Sequence, residues 1–549
     1  MKITIICLFT LLLGSIAYAQ ASPEWLWVNR AGGGSGDFGY GIAAGPDGNI
    51  HQCGFFTGSV EFGGVTLSGY GAYDICVTCL DPQGNWLWAA QAGGTGQDHG
   101  YRLAVDDAGN SYVTGKFSGT ATFGTQTISS LTPGYPDVFV AKLDPDGDWL
   151  WVVRAGGADS DSGYGICVSS SGVSITGTFS GSASFGSFNL TSVGEDDVFA
   201  ANLDPDGNWV WACSAGGTDL DLGNAIEADS GGNLYITGYF SDTANFGSFM
   251  LESSGLKDIF AGKLDPTGNW LWVRRAGGAG HDHGYGVSPD SGGNCHVAGD
   301  FDGTADFGTI SLVSHGSTDA LVACLDEDGN WLWANHAGSV SIDSALDIAL
   351  DGGGNSYVTG YFPTTATFGD IILSSGGAMD IFAAKTGPSG NWLWAKRAGG
   401  SSADYGKSIT TDSGGNSYIT GEFRNTASFD AWSVTSSGGH DIFIGKLSPG
   451  GVPLDDELAP QTSSPSRLGE AYPNPFRRDG FTCITAYVAK CEVGTLTIFN
   501  LRGEALLSRN LSPGMHEVLL SGRDLPSGLY FCRLKAGAAH SVKKVVLLK

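Results

Sequence analysis

The triplet His281-Asp282-His283 sets two imidazoles and a carboxylate within three residues, a donor set that borderline divalent metals accept. A metal site needs about three protein ligands in defined geometry, and no further ligand stands at motif spacing from this triplet. Asp282 is also one of seven acids at corresponding points of an internal repeat: Asp37, Asp98, Asp161, Asp221, Asp282, Asp343 and Asp404. Two chemistries suit acids placed this way. Each can accept backbone N–H bonds and hold a local turn, or the seven can form a carboxylate ring that binds calcium or the hydroxyls of a glycan. Seven convergent charges repel one another unless a cation sits among them. A second repeated acid, at Asp74, Asp137, Asp197, Asp258, Asp319, Asp380 and Asp441, precedes a strand and reads as its cap. Arg102, Glu227, Asp347 and Lys407 lie where the copies differ, so they are the candidates for ligand specificity.

The chain contains no nucleophile elbow, P-loop, dinucleotide fingerprint or zinc-protease motif. Gly-rich stretches such as Ala31-Gly32-Gly33-Gly34-Ser35-Gly36 recur in nearly every copy, which makes them turns rather than phosphate cradles. Paired carboxylates hydrolyse glycosides, and acids are plentiful. An active site, however, gathers a few groups of distinct pKa in one place, and near-identical copies do not supply that asymmetry. No catalytic residue is assigned, and no cofactor is expected other than a calcium ion at the acidic ring.

The element that must position these residues is a unit of about 61 residues, marked by Trp-x-Trp. Its first Trp falls at Trp25, Trp86, Trp149, Trp209, Trp270, Trp331 and Trp392, in steps of 61, 63, 60, 61, 61 and 61. A fixed period of this size signals units that bury their apolar faces against neighbours. In the copy from Asp161 to Gly217, short alternating stretches predict strands at 163–168, 173–179 and 197–203, an extra hairpin near 183–190, and a fourth strand at Trp209-Val210-Trp211. Asp144-Pro145-Asp146-Gly147-Asp148 has hairpin-turn chemistry and lacks the length and bidentate Glu of a calcium loop. Four antiparallel strands make a propeller blade. The array enters on a lone fourth strand, Trp25-Leu26-Trp27-Val28, and leaves after a third strand, 441–447. Those ends predict a seven-bladed β-propeller closed by its N-terminal strand, which leaves no long edge exposed. The paired indoles fall on one strand face and are expected to pack between blades.

Asp137 to Gly147, the following Trp-Leu-Trp, and the Gly100 to Gly115 pattern resemble bacterial SBBP-type β-propeller repeats over residues 25 to about 450. That resemblance implies a propeller outside the cytoplasm and no single activity.

At the N-terminus, Lys2, the apolar run Ile3 to Leu13 and Ala17-Tyr18-Ala19 read as a secretory signal, residues 1–19. No later segment has the length and apolarity to cross a membrane. Residues 20–450 form the propeller, 451–467 a polar Pro- and Ser-containing linker, and 468–549 a small β-sandwich. Net charge is −28 overall; residues 468–549 carry 11 basic and 6 acidic groups, leaving 17 and 50 in the remainder. So acidic a body argues against a nucleic-acid partner. Tyr472-Pro473-Asn474-Pro475-Phe476, Leu525-Pro526-Ser527-Gly528-Leu529-Tyr530 and the Lys543 to Lys549 tail resemble a type IX secretion C-terminal sorting domain. This implies handling by that machinery, passage across both membranes, and a final place at the cell surface or in the medium.

An exported protein can use disulfides. Cys53 and Cys76, and Cys295 and Cys324, lie on second and third strands of two blades with equal index sums after alignment, so both pairs are expected to bridge if either does. The functional expectation is a non-enzymatic binding or adhesion module for glycan or protein at one axial face. The alternatives are a polysaccharide-active enzyme and a structural surface component.

Overall fold

In a computed structural model, residues 22–450 are described, together with 467–548 apart from short breaks at 473–475, 478–480, 489–493, 512–513, 522–524 and 537–538. Residues 1–19, expected to be a secretory signal, and nearly all of the expected linker lie outside the described residues. The chain divides into two compact units at Val452/Pro453.

The first unit is built from antiparallel four-stranded sets. In the first set, Asp37–Ala44 pairs with Ile50–Phe56, which pairs with Asp74–Leu80, which pairs with Trp86–Gly94. The order inner, second, third, outer repeats through the set that begins at Tyr405–Thr411. That last set takes its outer strand from the other end of the unit: Trp25–Gly33 pairs in register with Trp432–Leu447, Trp25 opposite Leu447 and Ala31 opposite Ile442. Inner strands contact one another around the ring, Asp37–Ala44 touching both His99–Val105 and Tyr405–Thr411. Short hairpins such as Thr120–Phe123 with Gln126–Ser129 reach back to the outer strand of the preceding blade, Ala121 pairing with Gly94.

Both indoles of Trp-x-Trp join parts of this structure. The first stands edge-on to a Phe of its own blade's hairpin, as Trp149 does to Phe123 at 5.1 Å, an arrangement favoured by the ring quadrupoles. The second reaches the next blade: Trp27 Nε1 donates to the Pro82 carbonyl at 3.2 Å and Trp88 Nε1 to the Pro145 carbonyl at 2.8 Å. Gly147 sits under the Trp88 ring at φ +89°, where an added Cβ would lie 2.7 Å from the indole. The turn around it is held by Asp144, whose Oδ1 accepts from Asp146 and Asp148 N–H at 3.0 and 2.9 Å. It is therefore a turn clamp, with its carboxylate already engaged by backbone.

The two expected disulfides are not formed. Cys53, Cys76, Cys295 and Cys324 are buried free thiols. Cys53 faces Val77 and Cys76 faces Gly54, while Cys295 faces Leu325 and Cys324 faces His296. Each pair is offset by one residue, and a one-residue offset in a strand puts the side chains on opposite faces of the sheet. The two pairs do share one register relation, and that register sets each cysteine one residue away from the position opposite its expected partner.

In the second unit, a three-stranded sheet (Arg467–Tyr472, Phe481–Val488, Gly514–Ser521) accompanies a five-stranded sheet whose central strands are Gly528–Ala536 and Gly494–Asn500. Val518 and Leu520 of the first share a core with Leu496, Ile498, Tyr530, Leu534 and Val545 of the second, as a β-sandwich requires. Cys532 is a buried free thiol within it.

Candidate functional site

Every inner strand is interrupted at its fourth or third residue by a register shift, between Gly39 and Gly41, Gly100 and Arg102, Gly163 and Gly165, Gly223 and Ala225, Gly284 and Gly286, Ala345 and Asp347, and Gly406 and Ser408. A bulge leaves one residue unpaired and re-aims its side chain. The seven bulge residues are Tyr40, Tyr101, Tyr164, Asn224, Tyr285, Leu346 and Lys407, and all seven line one cavity of about 300 Å³ at a mouth of the ring. Tyr164, Tyr101 and Tyr40 follow one another with ring centroids 5.3 and 5.5 Å apart, and Lys407 Nζ lies 5.3 Å from the centre of the Tyr40 ring.

Deeper along the axis, a second cavity of about 320 Å³ is lined by all seven inner strands. Arg102 borders both cavities. Its Nη1 meets Asp347 Oδ2 at 2.6 Å and donates to Ser408 Oγ at 2.7 Å, and Ser408 Oγ donates to the same Asp347 oxygen at 2.6 Å. This crossbar spans from the second blade to the sixth and seventh. Glu227 faces the deeper cavity, where burial pushes its carboxyl up to about 7. Lys407 is 3.6 Å from Glu422. The variable positions Arg102, Glu227, Asp347 and Lys407 are thus brought together on the axis. The tyrosines beside them are not marked out by sequence alone, although each immediately precedes the position aligned with Arg102.

The seven repeated acids are elsewhere. Asp37, Asp98, Asp161, Asp221, Asp282, Asp343 and Asp404 are all buried to within 1% of full enclosure. Each accepts the N–H of the residue four earlier, for example Gly94 to Asp98 at 2.7 Å, Gly278 to Asp282 at 2.7 Å and Ser339 to Asp343 at 2.7 Å. In Asp98 the other oxygen accepts Ser118 N–H at 3.2 Å. They clamp the loops between blades and form no exposed ring. Burial, opposed by these hydrogen bonds, raises their carboxyls to about 7 (Asp37, Asp98, Asp161, Asp221, Asp282) or about 6 (Asp343, Asp404). The second series stands alongside: Asp74 adds to the shift of Asp98, and its Oδ1 is buried without a hydrogen-bond partner, as is that of Asp137, Asp197, Asp258, Asp319, Asp380 and Asp441.

The triplet His281-Asp282-His283 does not converge on one point: its two imidazoles stack with centroids 6.1 Å apart, but the carboxylate between them leaves the set. Asp282 turns inward to Gly278 and Asp302 N–H, while His283 Nδ1 meets Asp300 Oδ1 at 2.8 Å. The physical reason is alternation: neighbours on an extended chain point to opposite sides.

Residues 87–116 and 393–422 match the family model of the SBBP β-propeller repeat, and residues 470–548 match that of the secretion system C-terminal sorting domain. The sorting domain marks a chain exported by type IX secretion to the cell surface or the medium. An uncharacterised WD repeat-containing protein of Acanthamoeba polyphaga mimivirus is 22% identical over 435 residues, 61% of this chain and 31% of that protein. The regulatory protein FlaEY of Caulobacter vibrioides is 28% identical over 169 residues, 30% of this chain and 18% of that protein. The chain therefore spans less than a third of either relative. Among solved structures, PorZ, a surface component of the type IX secretion system of Porphyromonas gingivalis, aligns over 94% of this chain and 75% of its own at 11% identity and TM-score 0.30. Among the described residues, no helix is long and apolar enough to cross a membrane.

Proposed function

We propose that the exported propeller is a binding module whose ligand, a glycan chain, seats on the mouth formed by the seven bulge residues. The observation that carries this is the convergence of Tyr40, Tyr101, Tyr164 and Tyr285 with Asn224 and Lys407 on one cavity. Tyrosine faces stack on the C–H faces of sugars while phenol, amide and ammonium groups hydrogen-bond hydroxyls, the mix of apolar wall and few polar groups that ligand sites use. A protein loop carrying exposed apolar and acidic side chains is the other ligand this surface suits. A catalytic reading rests on one observation, that Glu227 and Asp347 are two carboxyls in unlike surroundings on the axis, the arrangement that acid–base pairs use. Purified full-length protein on a panel of soluble and insoluble polysaccharides tests all three. Retention that drops at least tenfold in Tyr101→Ala, with no new reducing ends, supports the glycan module. Retention unchanged in Tyr101→Ala and Tyr285→Ala moves the site off the mouth, new reducing ends that vanish in Glu227→Gln make the protein an enzyme, and no retention at all favours a protein ligand.

A further inference from the structure

We infer that the fifth blade carries a divalent transition-metal site formed by His315, Asp319 and His336. Among the described residues, these three bring one ligand atom each within 4.8 Å of one another. In four other blades, the residue aligned with His336 is an arginine that ion-pairs with the second repeated acid: Arg30 with Asp441 at 2.7 Å, Arg154 with Asp137 at 3.1 Å, Arg275 with Asp258 at 2.6 Å, and Arg397 with Asp380. The third-strand partners confirm the alignment, since Leu321 faces His336 as Phe139 faces Arg154. The fifth blade has lost that fixed cation and gained two imidazoles, His336 and His315.

Both imidazoles aim at the same oxygen. His315 Nδ1 and His336 Nδ1 each lie 2.8 Å from Asp319 Oδ2, which also accepts His315 N–H at 3.0 Å, while Oδ1 is buried with no partner. The rings stack at 4.8 Å between centroids. Two imidazoles and a backbone N–H crowd one carboxylate oxygen, an arrangement that a metal ion bound between the imidazoles and the carboxylate would relieve. Zinc-type bonds of about 2.0–2.2 Å hold neighbouring ligand atoms roughly 3–3.5 Å apart, so the set closes on an ion with small side-chain rotations. The site is reachable, because the His315 side chain is half exposed. Two imidazoles and a carboxylate suit zinc, nickel, cobalt or copper better than calcium or magnesium. Three protein ligands leave a coordination position for water or an outside group.

Full-length protein stripped with chelator and dialysed against micromolar Zn²⁺ tests this. His336→Arg installs the side chain that four other blades carry, so it should fold; equal melting temperatures in chelator check that it does. The expected result is one Zn²⁺ fewer per chain in His336→Arg and in His315→Asn than in the wild type, with His281→Asn unchanged. Zinc should also raise the melting temperature of the wild type and leave that of His336→Arg unmoved. Equal zinc content in the wild type and His336→Arg, including none in either, overturns the site. If His336→Arg melts differently in chelator, His315→Asn alone decides: unchanged zinc content overturns the site, and loss of one ion sustains it.

Discussion

Asp98 shows how a carboxyl persists in a buried junction. Its oxygens accept Gly94 and Ser118 N–H at 2.7 and 3.2 Å, and its neighbour Asp74 offers a buried, unpartnered Oδ1. Burial raises the Asp98 carboxyl to about 7 against the pull of the two N–H bonds, and the charge of Asp74 adds to the rise. Asp98→Asn keeps one accepting oxygen and turns an NH2 toward the other backbone N–H, so it should cost about 1–2 kcal/mol. Asp98→Ala orphans two backbone N–H groups and should cost about 2–4 kcal/mol. Urea unfolding at pH 6 separates them; an alanine loss no larger than the asparagine loss would refute the two-acceptor clamp. At this scale the sequence was informative about which acids recur and mute about where they point. Recurrence shows a repeated task, but clamp and ligand ring demand the same residue type at the same spacing. The histidines teach the converse: His281 and His283 stack on one side of the chain while alternation turns Asp282 away from them, whereas His315 and His336, distant in sequence, meet because a hairpin and an outer strand converge on Asp319.

Among elements, the inter-blade clamps act together on stability. An Asp whose folded pKa lies above its unfolded value near 4 stabilises the fold fully below pH 4, and that contribution is lost as pH rises through the folded value, here about 6 to 7 for seven acids. His51, His99 and His296 run the other way. Burial pushes them down to about 4, 3 and 4, so they stabilise above about 6.5 and lose this as pH falls. Seven acids outweigh three imidazoles, and the melting temperature should drop between pH 5 and pH 8. A higher value at pH 8 would contradict the buried carboxyls. The four-stranded unit itself was legible because alternation, Asp/Asn-Gly turns and Trp-x-Trp all repeat together. Bulges were not, since an inserted residue alters pairing without altering composition, and the tyrosine mouth depends on those bulges. Register suffered likewise in the cysteine pairs, where one residue decides between facing thiols and thiols on opposite sheet faces.

For the molecule as a whole, the decisive contact is the one between its ends. Ring order and the entry and exit strands could be read from sequence because an unclosed array would leave a long edge, and Trp25–Gly33 does lie in register along Trp432–Leu447. A chain lacking residues 22–33 exposes that edge and removes Trp25 from its 5.0 Å edge-on contact with Phe429. It should melt lower and associate; light scattering on the monomer peak checks this, and a stable monomer would show that the strand is dispensable. The same contact bears on the order of events in time. Glu24 N–H reaches Ser448 Oγ across 424 residues of chain, and joining ends so far apart costs about 5 kcal/mol in chain entropy on logarithmic scaling. If the intervening blades stack first, they shorten the gap, and most of that cost is met before the ends join. Until residue 447 is available, the earliest-made strand has no partner, so a chain emerging N-terminus first holds its beginning in reserve for its end.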